Sequence, residues 1–361
     1  MTVLTFVFII QIKFTMYRYL FLCTCMMRAG TLFAQTDTAA SAKALQEVVV
    51  TATRNEQLLS KVPVPVTVIS RQQLQSMGAV LLQQVLAEQT GLFITSNHGT
   101  GVQMQGLEAE YTLILLDGEP LIGRTAGTFD LSRIVVSNIE RIEIIKGPVS
   151  SLYGSDALAG VINIITRNSK QTGMSSLTAK YGSNNTYTLD GSTRIPYGKG
   201  SFTASVSTYN SDGYTLGSDT ASPTVSPFKT VTAQSRWEHS WTEQWHTILS
   251  GRYYRQQYHS YFPDSKGIVD DNGKENDMNA SLQIGNTPGK HFKQVLRLYY
   301  SRYGTDEAMT YREDKRIYDA SFFRQQYLKP EDQADGQLHP KHQLTAGTVY
   351  VHESLEATRY D

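Results

Sequence analysis

From about residue 172 onward the chain repeats one pattern. Segments of about ten residues alternate apolar with polar side chains, and each is closed by a turn. In HFKQVLRLYYSRYG, Phe292, Leu296, Leu298 and Tyr300 alternate with Lys293, Arg297 and Tyr299. In SFTASVSTYN, Phe202, Ala204 and Val206 share one face. A period of two dictates strands with one apolar and one polar face. The connections alternate as well. PYGKG, SWTEQ, NTPGK and LHPKH are short, whereas SDGYTLGSDTASPTVSP and FPDSKGIVDDNGKEN are long and polar. Short turns on one side and long loops on the other point to a transmembrane barrel. A soluble sandwich also alternates. Aromatics near strand ends (Trp237, Trp241, Trp245, Tyr253, Tyr254, Tyr299 and Tyr300) favour the barrel, because membrane girdles sit there.

A secretion signal favours it too. From Met16 the chain reads MYRYLFLCTCMMRAGTLFAQ, with Arg18 as the basic start, an apolar core, and Leu32-Phe33-Ala34 before a cut ahead of Gln35. Residues 1–34 therefore read as a cleaved signal peptide, with MTVLTFVFIIQIKF as an over-called start. Both cysteines, Cys23 and Cys25, leave with it, so neither a disulfide framework nor a thiolate metal site is expected. Lys13, Arg18 and Arg28 leave as well, with no acid, and the balanced whole (33 basic, 33 acidic) becomes slightly acidic. Nothing in that balance suggests a nucleic-acid partner.

Residues 35–46, QTDTAASAKALQ, read as a flexible linker. EVVVTAT follows, a β-prone run. On its residues alone it is either the first strand of the next domain or a free strand for a partner's sheet edge, and the first is the simpler. Residues 55–170 read as a small α+β domain. VPVPVTVIS is a strand, and SRQQLQSMGAVLLQQVLAEQTGL a helix capped by Ser70 and stopped at Gly91. YTLILLDGEPL is a strand into a turn at Asp117-Gly118, and IERIEIIKG and GVINIITR are further strands. No GxSxG, HExxH, Walker or paired-cysteine motif is present, so an enzyme is not expected. DDNGKEND carries carboxylates for Ca²⁺, but Ca²⁺ at Asp270/Asp271 is disfavoured against a solvated loop with an Asn-Gly turn. Among the scattered histidines only His339 and His342 are close in sequence, in a short turn.

IERIEIIKGPVSSLYGSDALAGVINIITR, Ile139 to Arg167, resembles the plug domain of TonB-dependent outer-membrane receptors, as does LILLDGEPL before it. EVVVTAT resembles that family's TonB box, between signal and plug. The resemblance implies an α+β plug domain followed by an antiparallel transmembrane β-barrel, of which about nine of 22 strands are traceable here. It implies residues 1–34 as signal peptide, 35–54 as linker with TonB box, 55–170 as plug and 171–361 as the N-terminal part of the barrel, and a record that covers only part of a receptor. The place would be the cell outer membrane of a Gram-negative bacterium. The partners would be TonB in the periplasm, outer-membrane lipid and a small metal-chelate ligand. Glu47, Val48, Val49, Val50, Thr51 and Ala52 would form the TonB box and add to TonB as a strand. Glu140, Arg141, Glu143, Lys146 and Arg167 would pair with the barrel's inner wall or serve as plain surface charge.

In the family the loop before QMQGL reaches the plug apex, where the ligand lands. There SNHGTG presents His98, and some haem receptors ligate iron from that place. The resemblance thus offers His98 as a haem-iron ligand, with Tyr258, His259 and Tyr261 adding contacts from a barrel strand. Haem, delivered from a carrier protein, is the favoured ligand. Cobalamin or a ferric siderophore is the alternative, and no cofactor is expected to be tightly bound. A signalling receptor needs an extra domain before the TonB box, for which Gln35–Gln46 is too short. A non-functional fragment is the remaining reading.

Overall fold

A computed structural model describes residues 4–8, 49–50, 57–58, 64–96, 99–149, 153–167, 175–217, 222–289, 291–339 and 342–360. The signal cleavage site, His98 and, apart from Val49 and Val50, the TonB box lie outside these residues.

Three short strands come first: β1 (Leu4–Phe8), β2 (Val49–Val50) and β3 (Gln57–Leu58). β2 pairs with β3, Val49 opposite Leu58. The α+β region then runs β4 (Val66–Ser70), α1 (Arg71–Met77), α2 (Leu82–Ala87), β5 (Leu92–Thr95), β6 (Gly101–Met104), β7 (Thr112–Leu116), β8 (Glu119–Pro120), β9 (Arg124–Thr125), β10 (Thr128–Phe129), β11 (Ile139–Lys146) and β12 (Gly160–Thr166). Its sheet has the order β4-β11-β12-β7-β8, with β12 parallel to β7 and the other pairs antiparallel. Both faces are buried. Ile142, Ile144, Ile162 and Ile164 pack with Leu82, Val85 and Leu86 of α2, while Leu113, Leu115, Ile145 and Val161 pack on the other side.

The helix expected over Ser70 to Gly91 is two helices. Its start is as expected, because Gln73 N donates to Ser70 Oγ and Ser70 N to Gln73 Oε1. Gly78 then ends α1 in the left-handed region, at φ 66°. Val80 and Leu81 turn outward to bond the segment around Val135 before α2 begins. The Asp117-Gly118 turn forms with both residues at positive φ, as a primed hairpin turn requires.

The wall follows as β13 (Ser175–Gly182), β14 (Thr186–Tyr197), β15 (Gly200–Ser211), β16 (Phe228–Ser240), β17 (Trp245–Asp264), β18 (Gly267–Gly289), β19 (Phe292–Tyr311), β20 (Ile317–His339), β21 (His342–Val349) and β22 (His352–Tyr360). Each pairs antiparallel with the next, except that β21 and β22 both pair with β20. The register on β20 continues unchanged from Glu331↔Val349 to Leu328↔His352. Tyr350 N donates to Pro330 O at 3.0 Å, and Pro330 has no N–H to return. β21 and β22 are therefore one strand interrupted opposite a proline, and the wall has nine continuous strands. β1, from the stretch read as signal peptide, pairs on the outer edge of β13, Leu4 opposite Tyr181.

Side chains alternate strictly. On β17 Leu249 and Tyr253 are exposed while Arg252 and Tyr254 are buried against the α+β region. Met278 on β18 and Leu296 and Leu298 on β19 continue the outward apolar band. From Trp245 to Tyr253 it rises about 20 Å for a strand tilted about 40°. Above it the outward residues turn polar, at Arg255, Asn276 and Arg302, so β17–β20 stand well beyond the band. At the short-turn rim Tyr197, Trp237, His239 and Trp241 interlock, with His239 stacked 5.9 Å from Tyr197 and 4.6 Å edge-on from Trp241.

One expected long loop is instead a hairpin. FPDSKGIVDDNGKEN continues β17 and β18 through a tight turn at Ser265 and Lys266. Asn272 and Gly273 are mid-strand, opposite His259 and Tyr258. Gly273 is there for space: a Cβ would meet the Tyr258 ring at 2.0 Å. The Asp270 carboxylate is engaged by Arg312, whose Nε and Nη2 donate to Asp270 Oδ1 at 2.9 and 2.7 Å.

Candidate functional site

The α+β domain is seated against the inner face of the wall, and the seam between them is rich in buried polar contacts. Its centre is Arg133, on the 3₁₀ turn Leu131–Arg133 that Asp130 caps by accepting from Ser132 N. The Arg133 side chain is fully buried. Its Nη2 pairs with Asp277 Oδ2 of β18 at 2.5 Å, and its Nε lies 3.4 Å from Glu275 Oε1. Nη1 donates to the carbonyls of Ile122 (3.0 Å) and Gly123 (2.8 Å). The guanidinium is sandwiched between Phe129 at 4.5 Å and Tyr303 at 4.2 Å. Arg252 of β17 completes the cluster: its Nη1 pairs with Asp277 at 2.7 Å and its Nη2 donates to the Arg133 carbonyl at 2.7 Å. Burial alone would lower the Arg133 guanidinium, but Asp277, Tyr303 and Glu275 hold it above its ordinary value.

The segment Glu119–Gly123, from β8 into the following turn, is fastened beside it. Tyr299 OH donates to Pro120 O at 2.8 Å, and Gly123 N donates to Gln325 Oε1 at 2.8 Å. Lys329 Nζ bridges Glu119 (2.6 Å) and Glu331 (3.2 Å). Burial pushes the Glu119 carboxyl above its ordinary value, although Lys329 opposes this. Gly123 has φ 84°, and a Cβ on it would sit 2.2 Å from the Tyr303 ring. No other residue fits that contact. Two gaps flank the seam. One of about 340 Å³ lies between Leu121, Ile122 and Tyr153 of the inner domain and Phe323, Lys329 and Glu353 of the wall. A smaller one of about 70 Å³ lies among Asp117, Asn138, Gln234, Arg236 and Ser250.

The residues expected from sequence are placed as follows. Arg167 Nη1 reaches Ser192 Oγ of β14 at 3.5 Å. Arg141 pairs with the buried Glu143 at 2.8 Å inside the plug's own sheet, because side chains two apart on β11 share a face. Lys146 donates to the Thr90 carbonyl, and Glu140 acts on Arg71. Tyr258, His259 and Tyr261 do not converge. Tyr258 points inward and donates to Glu307 at 3.2 Å. His259 and Tyr261 have the opposite parity and lie on the outer face, His259 Nδ1 2.9 Å from Asn272 Oδ1 and Tyr261 under Arg312. His98 is outside the described residues. Thr100 donates from N to Asp130 Oδ1 at 3.2 Å, beside the turn carrying Arg133. Among the described residues no group of three or more His, Cys, Asp or Glu is placed to hold a metal ion.

Sequence reasoning missed Arg133, Arg252, Glu275, Asp277 and Gly123. The signal available was parity: Arg252 on β17 and Glu275 and Asp277 on β18 fall on the lumen side of alternating strands.

The comparisons agree with this architecture. Residues 59–161 match the TonB-dependent Receptor Plug Domain. The chain is similar in structure to the ferric yersiniabactin uptake receptor FyuA from Yersinia pestis, with a TM-score of 0.57 at 16% identity, covering 82% of this chain and 57% of that one. For the siderophore receptor PirA from Acinetobacter baumannii the TM-score is 0.66 at 19% identity, over 80% and 48%. For a mutant of the ferric enterobactin receptor PfeA from Pseudomonas aeruginosa it is 0.65 at 17%, over 85% and 51%. The chain spans about half the length of these solved proteins. It carries a TonB-dependent receptor plug domain followed by a partial antiparallel wall of the receptor fold.

Proposed function

We propose that the chain belongs to an outer-membrane receptor that takes up a ferric siderophore or similar metal chelate, with energy delivered by TonB. The observation that carries this reading is the seam: a plug buried inside the wall and fastened by a small, fully desolvated ion cluster. A plug held at few points can be displaced as a body, which an energised gate requires. The TonB-dependent family resides in the Gram-negative outer membrane, and the outward apolar band with its aromatic rim suits that place. Glu47 to Ala52 would serve as the TonB box and add to TonB as a strand.

A ferric siderophore replaces haem as the favoured ligand. The solved proteins of similar fold include several named for ferric siderophores. Of the residues offered for haem, Tyr258, His259 and Tyr261 do not gather, because His259 and Tyr261 lie on the wall's outer face. The test is radio-iron uptake by cells expressing the receptor, with ferric siderophores and haemin compared. Val49→Pro should leave chelate binding intact and abolish uptake, because proline cannot donate to an added strand. Uptake that survives Val49→Pro would sink the TonB reading. A Soret change on haemin addition that is lost in His98→Ala would restore haem.

A further inference from the structure

At the short-turn rim β20 and β21 meet in a hairpin whose closing pair is His339 opposite His342. We propose that these two imidazoles form a binding site for a borderline divalent transition ion, Cu²⁺, Zn²⁺ or Ni²⁺, separate from any chelate the barrel handles. Their rings are 5.6 Å apart between centroids, with planes inclined at 41°. A metal–imidazole bond of about 2.0–2.1 Å sets each centroid about 3 Å from the ion, so two ligating rings stand about 4.5–6 Å apart. The observed spacing lies inside that range without backbone movement. Both residues are exposed, so a hydrated ion reaches them and keeps water in its remaining positions.

The backbone holds the pair in place. The register shifts between Gln337 and His339, which is what brings His339 opposite His342. Gln337 N donates to the His291 carbonyl at 2.8 Å, so the neighbouring β18–β19 turn braces the same hairpin end. Imidazole nitrogen selects copper, zinc and nickel over magnesium and calcium, which need oxygen. The site lies at the opposite end of the wall from the long loop between β15 and β16 and from the outer extensions of β17–β20, so it would meet free ions on the short-turn side.

The test is Cu²⁺ titration of the full chain in detergent micelles, read by electron paramagnetic resonance. One copper should bind with superhyperfine coupling to two imidazole nitrogens, and Zn²⁺ in large excess should compete for the site. His339→Gln and His342→Gln should each weaken that binding roughly tenfold or more and remove the two-nitrogen signature. His352→Gln should leave both unchanged. Two-nitrogen binding that persists in either hairpin variant, or its absence in the unaltered chain, overturns the assignment. Chelate uptake enters none of these readouts.

Discussion

Replacing Arg133 by methionine is the sharpest perturbation of the seam. Removing one partner of a buried ion pair costs about 3–5 kcal/mol, mostly through the charge left behind. Here Asp277 keeps Arg252 at 2.7 Å, so the lower end, about 3 kcal/mol, applies. The carbonyls of Ile122 and Gly123 lose their donor at the same time. The damage should be local, because Arg133 is bonded to the loop and to the wall while the plug sheet rests on its own core. The reporter is the Gly123 amide, which donates to Gln325 across the seam. At about 1.36 kcal/mol per tenfold, its hydrogen exchange should accelerate roughly a hundredfold in Arg133→Met. The Ile162 and Ile164 amides in the plug sheet should keep their protection. Gly123 exchange within about threefold of the unaltered protein would refute the view that this cluster fastens the plug. Equal acceleration at Ile162 would show that Arg133 supports the plug's fold instead.

Gly123→Ala should also release the loop, since the new Cβ meets the Tyr303 ring; adding Tyr303→Ala should recover only part, because φ 84° still strains a non-glycine residue. Glu119 gives a pH dependence. Burial raises its carboxyl in the folded protein, so its contribution to docking is fully present below the unfolded carboxylate range and fades as pH rises through the raised value. Exchange at Glu119–Gly123, corrected for intrinsic rates, should therefore quicken with pH, and Glu119→Gln should flatten the profile. Gly273→Val should disorder the outer β17–β18 hairpin, because the Tyr258 ring occupies the space of any side chain there, and proteolysis near Ser265 would report it.

Much of this was legible in the sequence because strands announce themselves by parity. Phe202, Val206, Leu296 and Leu298 fall on the outward face that their alternation requires. The hairpin turn at Asp117-Gly118 was legible for a related reason: two consecutive positive φ angles demand such residues. Asn272-Gly273 misled by the same rule. It has turn chemistry, but the glycine serves a ring packed across the sheet, and nothing local distinguishes the two uses. Gly78 was passed over because a single glycine inside a helical pattern is often tolerated. The seam was hidden for another reason. Arg133 and Asp277 are 144 residues apart, and each looks ordinary in its own segment. Only the parity of β18, combined with knowledge that a plug fills the lumen, marks Asp277 as buried.

The charges that resemblance singled out and the charges that fasten the plug are largely different sets, and the difference is mechanical. Arg141, Glu143 and Lys146 bond inside the plug and keep it one body. Arg133 and Gly123 sit on short turns and Glu119 on the edge strand β8, and all three reach the wall. Fastening from turns and an edge strand lets the seam open without disturbing the β11–β12–β7 core. The two gaps beside the seam matter for the same reason. A seam packed along its whole length would resist displacement by its full buried area, whereas a few ion and hydrogen-bond clusters beside gaps concentrate the resistance at named residues. Arg133→Met and Lys329→Met together should therefore loosen the plug by about the sum of their separate effects if Arg133 and Lys329 act as independent fasteners, and by less if they share one. Exchange at Gly123 in the two single variants and the double variant decides between these, and a double variant no looser than Arg133→Met alone would reduce the seam to a single latch.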